Sequence, residues 1–144
     1  MYKHVLIATD GSELAAKAVT AGLELARALG AKVTTVTATE PWTTMMTGEP
    51  AFVFPVEEYE KAAAQKAARI LAEVGITARE RGVACETVHV KDFPAEAIIA
   101  TAAAKGCDLI VMSSHGRRGL ARALLGSQAS SVLTHSTIPV LICR

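Results

Sequence analysis

The residues whose types are best suited to bind a ligand lie between an apolar run and a helical pattern. Asp108-Leu109-Ile110-Val111-Met112 is short, apolar and partly β-branched, as a buried parallel strand is. Gly126-Ser127 then opens a helical pattern. Ligands of open α/β sheets bind just beyond the carboxyl ends of strands, and a helix N-terminus offers free N–H groups to an anion. The segment between them is therefore predicted to be a phosphate-binding loop.

Several residues of this loop suit a phosphate. Gly116 and Gly126 allow backbone amides to approach closely, Ser127 can offer its hydroxyl, and Arg117 and Arg118 add positive charge. The alternative is a glycine-rich turn with a serine helix cap and no ligand, and spacing alone does not separate the two. His115 is in the same loop. The sequence gives it no Ser or Cys nucleophile with an acidic orienting residue, which argues against a catalytic role.

Length and composition restrict the class of protein. The 144 residues suit one domain over 1–144, with 51% hydrophobic and 20% charged residues. Basic and acidic side chains number 15 and 14, so charge gives no reason to expect a nucleic-acid partner. No apolar stretch approaches the roughly 20 residues of a membrane span, and the apolar run after His4 is too short for a signal peptide. We expect no membrane partner and a cytoplasmic location.

The cysteines do not indicate a disulfide framework or a zinc site. Cys85, Cys107 and Cys143 are an odd number and show no C-x-x-C spacing. They are interpreted as small buried apolar residues.

Strand and helix patterns alternate along the chain. Strands are predicted over residues 3–9, 33–39, 83–90, 108–112 and 138–143, with helices over 12–29, 56–81, 92–106 and 127–135. This alternation predicts an α/β fold: one doubly wound, open parallel sheet of five strands in the order 3-2-1-4-5, with helices on both faces. Pro139 cannot donate to a strand ladder, so the last strand is expected at an edge.

Residues 40–55 interrupt the pattern. Prolines and a glycine break the periodicity, while Trp42, Met45, Met46, Phe52 and Phe54 make the segment apolar. Long loops in compact domains tend to be functional. A ligand lid and a flap that covers the core or a dimer surface are both compatible with this composition.

Over its whole length the chain resembles the universal stress protein family, from Val5-Leu6-Ile7-Ala8-Thr9-Asp10-Gly11-Ser12 to Ile138-Pro139-Val140-Leu141-Ile142. The nucleotide-binding branch carries G-x-x-G, nine residues, then G-[ST]. Gly116, the nine residues to Leu125 and Gly126-Ser127 match this motif, whereas Ser113 replaces its first glycine. The Ser113 side chain would either crowd the nucleotide or give it one more hydrogen bond.

The resemblance implies a site for ATP or another adenine nucleotide, with Mg²⁺ if the triphosphate is intact. Thr9 and Asp10 would lie against the adenosine, and Ala38 would offer its backbone to the adenine. Asp10 has an alternative role as the cap of the first helix. The candidate cofactor-binding residues are Thr9, Asp10, Ala38, Ser113, His115, Gly116, Arg117, Gly126, Ser127, Gln128 and Ala129, the last two through their helix N-terminal amides.

Three functions remain open. We favour an ATP-binding stress-response module with little or no hydrolysis, which changes a surface that a protein partner recognises. The second is a ligand-free dimeric interaction protein of the same fold. The third, an enzyme, has the least support, because no Walker lysine precedes Ser127 and no S-G-G-x-D-S loop follows the first strand. The resemblance also implies a homodimer through the C-terminal strand.

Overall fold

The computed structural model describes residues 1–42, 55–116 and 124–144. Within these ranges strands and helices alternate: β1 His4–Ala8, α1 Glu13–Leu29, β2 Lys32–Thr39, α2 Val56–Glu80, β3 Cys85–Lys91, α3 Pro94–Lys105, β4 Leu109–Ser113, α4 Ser127–His135 and β5 Val140–Cys143. The bounds of α4 agree with those predicted from the sequence.

The five strands form one parallel sheet in the order β3-β2-β1-β4-β5, which confirms the predicted topology. Val5 of β1 is paired with Val33 of β2 on one side and with Leu109 of β4 on the other. The central strands β1 and β4 are buried along their whole length. They read as continuous apolar runs because helices cover both of their faces.

Side-chain alternation along the strands builds two cores, one on each face of the sheet. On the first face α1 and α2 pack against β1 and its neighbours through Val5, Ile7, Leu23, Val33 and Val74, among others. On the second face α3 and α4 pack through Leu6, Ile98, Ile110, Met112 and Val132, among others. The helices α3 and α4 therefore lie side by side on one face, and this arrangement matters for the site.

The edge position predicted for the last strand is correct, but the strand is shorter than predicted. It begins at Val140 rather than at residue 138, because Pro139 has no N–H to donate. Pro139 still contributes its carbonyl, which accepts the N–H of Ile110 at 2.9 Å. Strand β4 also ends one residue later than predicted, at Ser113, which is paired with Cys143.

The first helix is capped by Ser12, not by Asp10. The Ser12 hydroxyl accepts the N–H of Ala15 at 3.2 Å, as an N-cap side chain does. At the other end Gly30 adopts φ 65°, a left-handed conformation that a glycine takes without a Cβ penalty. Asp10 is therefore placed differently from the capping role that the sequence allowed.

The cysteines of the described residues are unpaired thiols, and Cys107 is buried while Cys85 and Cys143 are half-buried. Burial raises the pKa of all three thiols above the ordinary value. Among the described helices, none combines the length and the apolar character that a membrane span needs.

Candidate functional site

The sheet order creates a crevice at the carboxyl ends of β1 and β4. These strands are neighbours, yet β1 leads into α1 on one face of the sheet, whereas the chain after β4 reaches α4 on the other face. Chains that leave adjacent strands toward opposite faces open a gap between them, and ligands of this fold class bind there. The site is built from the residues that follow these two strands.

The turn after β1 supplies Thr9 and Asp10. Thr9 is buried, its N–H donates to the Val36 carbonyl at 3.0 Å, and its hydroxyl accepts the N–H of Gly11 at 3.2 Å. Asp10 Oδ1 accepts the N–H of Ser12 at 2.9 Å. Backbone hydrogen bonds thus hold both side chains at the mouth of the crevice.

The loop after β4 approaches the same turn. A Cβ placed on Gly116 would lie 2.8 Å from Oδ2 of Asp10, so the glycine backbone and the carboxylate are close neighbours. This contact joins two segments more than one hundred residues apart in the chain and lies where the sequence predicted a nucleotide. Gly116 and Asp10 are therefore brought together as expected.

Ser113 and His115 organise the start of this loop. The Ser113 hydroxyl donates to the His115 carbonyl at 2.8 Å, and the Ser113 residue is buried. His115 Nδ1 lies 3.1 Å from the Ser114 hydroxyl. Its Nε2 is a buried polar atom that has no hydrogen-bond partner among the described residues. Because the Ser113 hydroxyl already serves its own loop, its main observed effect is to fix the loop's conformation.

Gly126 closes the loop onto the strand end. Its N–H donates to the Ser114 carbonyl at 2.6 Å, and a Cβ at this position would lie only 2.9 Å from the same carbonyl oxygen. The residue has φ −71°, which any amino acid can adopt. The requirement for glycine at 126 is therefore a matter of space rather than of backbone conformation.

The amino end of α4 has features that suit an anion. Gly126 is its N-cap and provides no side-chain cap, and the first turn contains no acidic residue. The N–H groups of Ser127, Gln128 and Ala129 precede the first helical hydrogen bond, which runs from Ser130 to the Gly126 carbonyl. Three adjacent N–H groups without helical partners and the positive helix end favour a phosphate here.

Ala38 lies beside the crevice, past the last residue of β2 that is paired with β1. The last β1–β2 pair joins Ala8 to Val36, and the Val36 carbonyl accepts the Thr9 N–H. Alternate residues of a parallel strand direct both backbone groups to the same neighbour, so Ala38 directs its N–H and C=O to the β1 side, beyond the end of β1. Such an adjacent donor and acceptor can recognise a flat, polar edge.

The side chain of Gln128 forms a hydrogen bond with another helix that the sequence did not predict. Its Oε1 accepts the N–H of Ala95, in the first turn of α3, at 3.0 Å. Only the backbone amide of Gln128 was predicted to matter. The available signal was the absence of a capping side chain at Phe93, where α3 begins.

Some predicted features lie outside the described residues. Arg117 and Arg118 are among them, as is most of the predicted loop over 40–55, namely residues 43–54. In the ranges that are described, no group of three or more His, Cys, Asp or Glu side chains is arranged to hold a metal ion.

Comparison with known proteins identifies the family. Residues 1–144 match the sequence model of the universal stress protein family. This chain belongs to the universal stress protein family. The universal stress protein YxiE of Bacillus subtilis is 32% identical over 148 residues and a universal stress protein of Thermus aquaticus is 34% identical over 145, and each alignment covers 100% of both chains.

A solved structure gives the same result at the level of the fold. A universal stress protein crystallised in complex with cAMP has a TM-score of 0.74 and 30% identity to this chain, with 99% of this chain and 97% of that chain covered. The resemblance inferred from the sequence motifs is thereby confirmed.

Proposed function

We propose that this universal stress protein binds an adenine nucleotide, preferably ATP, in the crevice between β1 and β4. The observation that carries the proposal is the coincidence of three features in one place: the Ala38 backbone beyond the end of the β1–β2 pairing, the glycine contacts at 116 and 126, and the N–H groups of the α4 first turn without helical partners. A related protein crystallised with cAMP supports an adenine nucleotide as the ligand class.

The two ends of the nucleotide would meet different chemistry. An edge of adenine offers an exocyclic amino donor beside a ring-nitrogen acceptor, which matches the C=O and N–H of Ala38. Phosphate oxygens would accept from the amides of Ser127, Gln128 and Ala129, and from the Ser127 hydroxyl. Thr9 and Asp10 lie between these two regions along the β1 end, where the sugar would fit.

Mg²⁺ would accompany an intact triphosphate. Proteins commonly hold this ion with one or two carboxylates together with phosphate oxygens. Asp10 places a carboxylate beside Gly116, and Ser127 has a hydroxyl at the phosphate end, so these residues suit such an ion. The bound ion would neutralise phosphate charge.

We further propose that the output is a change of surface rather than rapid turnover. The residue before Ser127 is Gly126, so the lysine that precedes the serine of a Walker loop and assists phosphoryl transfer is missing at that point. Slow or no hydrolysis leaves a stable bound state that a partner protein can recognise. A homodimer through β5 in the cytoplasm completes the proposal.

The direct test begins with protein purified from cells. Acid release, ultraviolet absorbance and mass spectrometry should detect a bound adenine nucleotide, and calorimetry of stripped protein should show ATP binding that Gly126→Val abolishes without unfolding the domain. GTP is the matched control ligand, because it carries the same triphosphate with a different base edge. Equal ATP affinity in the variant would reject the loop as the phosphate site.

A ligand-free interaction protein is the second candidate, and one observation favours it. The described ends of the loop form hydrogen bonds without a ligand, because Gly126 donates to the Ser114 carbonyl and Ser113 to that of His115. If the folded wild type binds no adenine nucleotide at millimolar concentration, and Ser113→Gly does not either, this candidate replaces the first.

A further inference from the structure

The helix α3 begins without a capping side chain of its own. Its N-cap is Phe93, which makes no side-chain cap hydrogen bond, and Pro94 occupies the first turn. Ala95 follows, with a residue exposure of only 3%. The N–H of Ala95 precedes the helical hydrogen-bond ladder, and a donor withdrawn from water without an acceptor is costly. This helix start therefore needs an acceptor from elsewhere in the fold.

Gln128 of α4 supplies that acceptor. Its Oε1 lies 3.0 Å from the Ala95 nitrogen, across 33 residues of sequence. Next to this hydrogen bond, Ala95 and Ala129 belong to one buried cluster. The amino ends of α3 and α4 are thus joined by apolar packing and by one side-chain hydrogen bond.

The first turn of α4 depends on this connection. Its N-cap, Gly126, has no side chain to anchor it, and residues 127 and 128 are exposed. Among the hydrogen bonds of the described residues, the one that Gln128 Oε1 accepts from Ala95 connects a side chain of this turn to another element. A turn held in this way keeps its backbone N–H groups in a fixed direction.

We propose that Gln128 is a positioning residue for the phosphates of the bound nucleotide, because its side chain ties the first turn of α4 to the start of α3. The inference rests on the proposed function. It adds to the site a side chain that is not part of the glycine motif and that contacts α3 rather than the nucleotide. With Oε1 committed to Ala95, the remaining polar group of the side chain is the amino group, which only donates and is compatible with a neighbouring anion.

The test compares Gln128→Met with Gln65→Met. Gln65 is an exposed residue on α2, so the control makes the same substitution on a helix away from the site. Calorimetry with Mg²⁺–ATP should show about threefold to tenfold weaker binding for Gln128→Met, the size expected for one hydrogen bond, and no change for Gln65→Met. Amide exchange at Ala95, followed by NMR, should accelerate in Gln128→Met alone.

Adenosine separates positioning from a general loss of structure. It lacks phosphates, so its affinity should be the same in the wild type and in Gln128→Met, while that of ATP falls. Equal weakening of adenosine and ATP would overturn the proposal, because it would indicate damage to the whole crevice.

A second variant separates positioning from helix capping. Phe93 is 41% exposed, so Phe93→Asp can give α3 a cap from its own chain with little loss of packing. Combined with Gln128→Met, it should restore stability against urea but leave ATP binding weak. Full recovery of ATP affinity would show that only the cap matters and would overturn the positioning role.

The outcomes also distinguish this inference from the proposed function. If the wild type binds ATP and Gln128→Met binds it with the same affinity, the inference alone is overturned. A folded wild type that binds neither ATP nor adenosine at millimolar concentration overturns both.

Discussion

Replacement of Gly126 by alanine isolates the steric demand of the loop. The residue has φ −71°, so alanine brings no backbone strain, and the contacts of the new methyl group are the main source of the effect. That group would lie 2.9 Å from the Ser114 carbonyl oxygen and 3.3 Å from Cα of His115. Both neighbours are backbone atoms, which cannot rotate away as a side chain can.

The energy follows from what the loop must give up. Moving the Ser114 carbonyl breaks its hydrogen bond from the Gly126 N–H, now 2.6 Å long, which contributes about 0.5–1.5 kcal/mol. Forcing a methyl group into an occupied space typically costs about 1–3 kcal/mol. We therefore expect Gly126→Ala to lower the free energy of unfolding by about 2–4 kcal/mol, less if the loop shifts and disturbs the site instead.

Gly116→Ala is the matched control, because its new methyl group would meet Oδ2 of Asp10 at 2.8 Å, which is a side-chain atom rather than a backbone atom. It should lower the free energy of unfolding by less than about 1 kcal/mol, and by nothing further when Asp10→Ala has removed the obstacle. Urea unfolding and calorimetry with ATP measure both variants. Gly126→Ala with the stability and ATP affinity of the wild type would refute the reasoning, as would equal losses for the two glycines.

Three further predictions concern separate parts of the molecule. Ser113→Ala should lower the free energy of unfolding by about 0.5–1.5 kcal/mol, because it deletes the hydrogen bond to the His115 carbonyl; an unchanged urea midpoint would contradict this. Burial lowers the pKa of His4, which is hydrogen-bonded to Thr34, so the unfolded chain binds more protons. Stability should therefore fall as pH decreases through the ordinary value of about 6.5, with a shallower pH dependence in His4→Gln; equal slopes in urea titrations would refute it. Leu141 is 40% exposed on edge strand β5, so light scattering should find a dimer that Leu141→Lys reduces to a monomer. An unchanged mass in the variant would place the interface elsewhere.

The fold was predictable because its signals are local and repeated. Apolar runs such as Val5 to Ala8 end at small polar residues, and glycines such as Gly30 and Gly106 end helices, so each element is marked by its own sequence. Parallel strands buried on both faces must be joined by helical crossovers, which restricts the topology. Strand ends were less predictable, as the late start at Val140 shows, since ladder pairing with the neighbouring strand decides them.

The position of Asp10 likewise involves a contact between elements rather than a local signal. Sequence order placed it before Ser12, and either residue had the chemistry of a helix cap. The structure gives the cap to Ser12 and uses one Asp10 oxygen to hold the turn, while the other lies beside Gly116. The position of Asp10 beside Gly116 is a tertiary contact that no local pattern encodes.

Gln128 shows where sequence reasoning stops for a physical reason. The sequence places Asp92, a residue type that can cap a helix, at the start of this helix, whereas in the structure the N-cap is Phe93, which has no side-chain acceptor. An unsatisfied helix start requires an acceptor from another element. Which residue supplies it depends on the packing of α3 against α4, and hence on a distance that spacing along the chain does not contain. An uncapped helix start in a parallel α/β domain is thus a reason to examine the first turn of the helix beside it, where a polar side chain can serve one helix while its backbone serves a ligand.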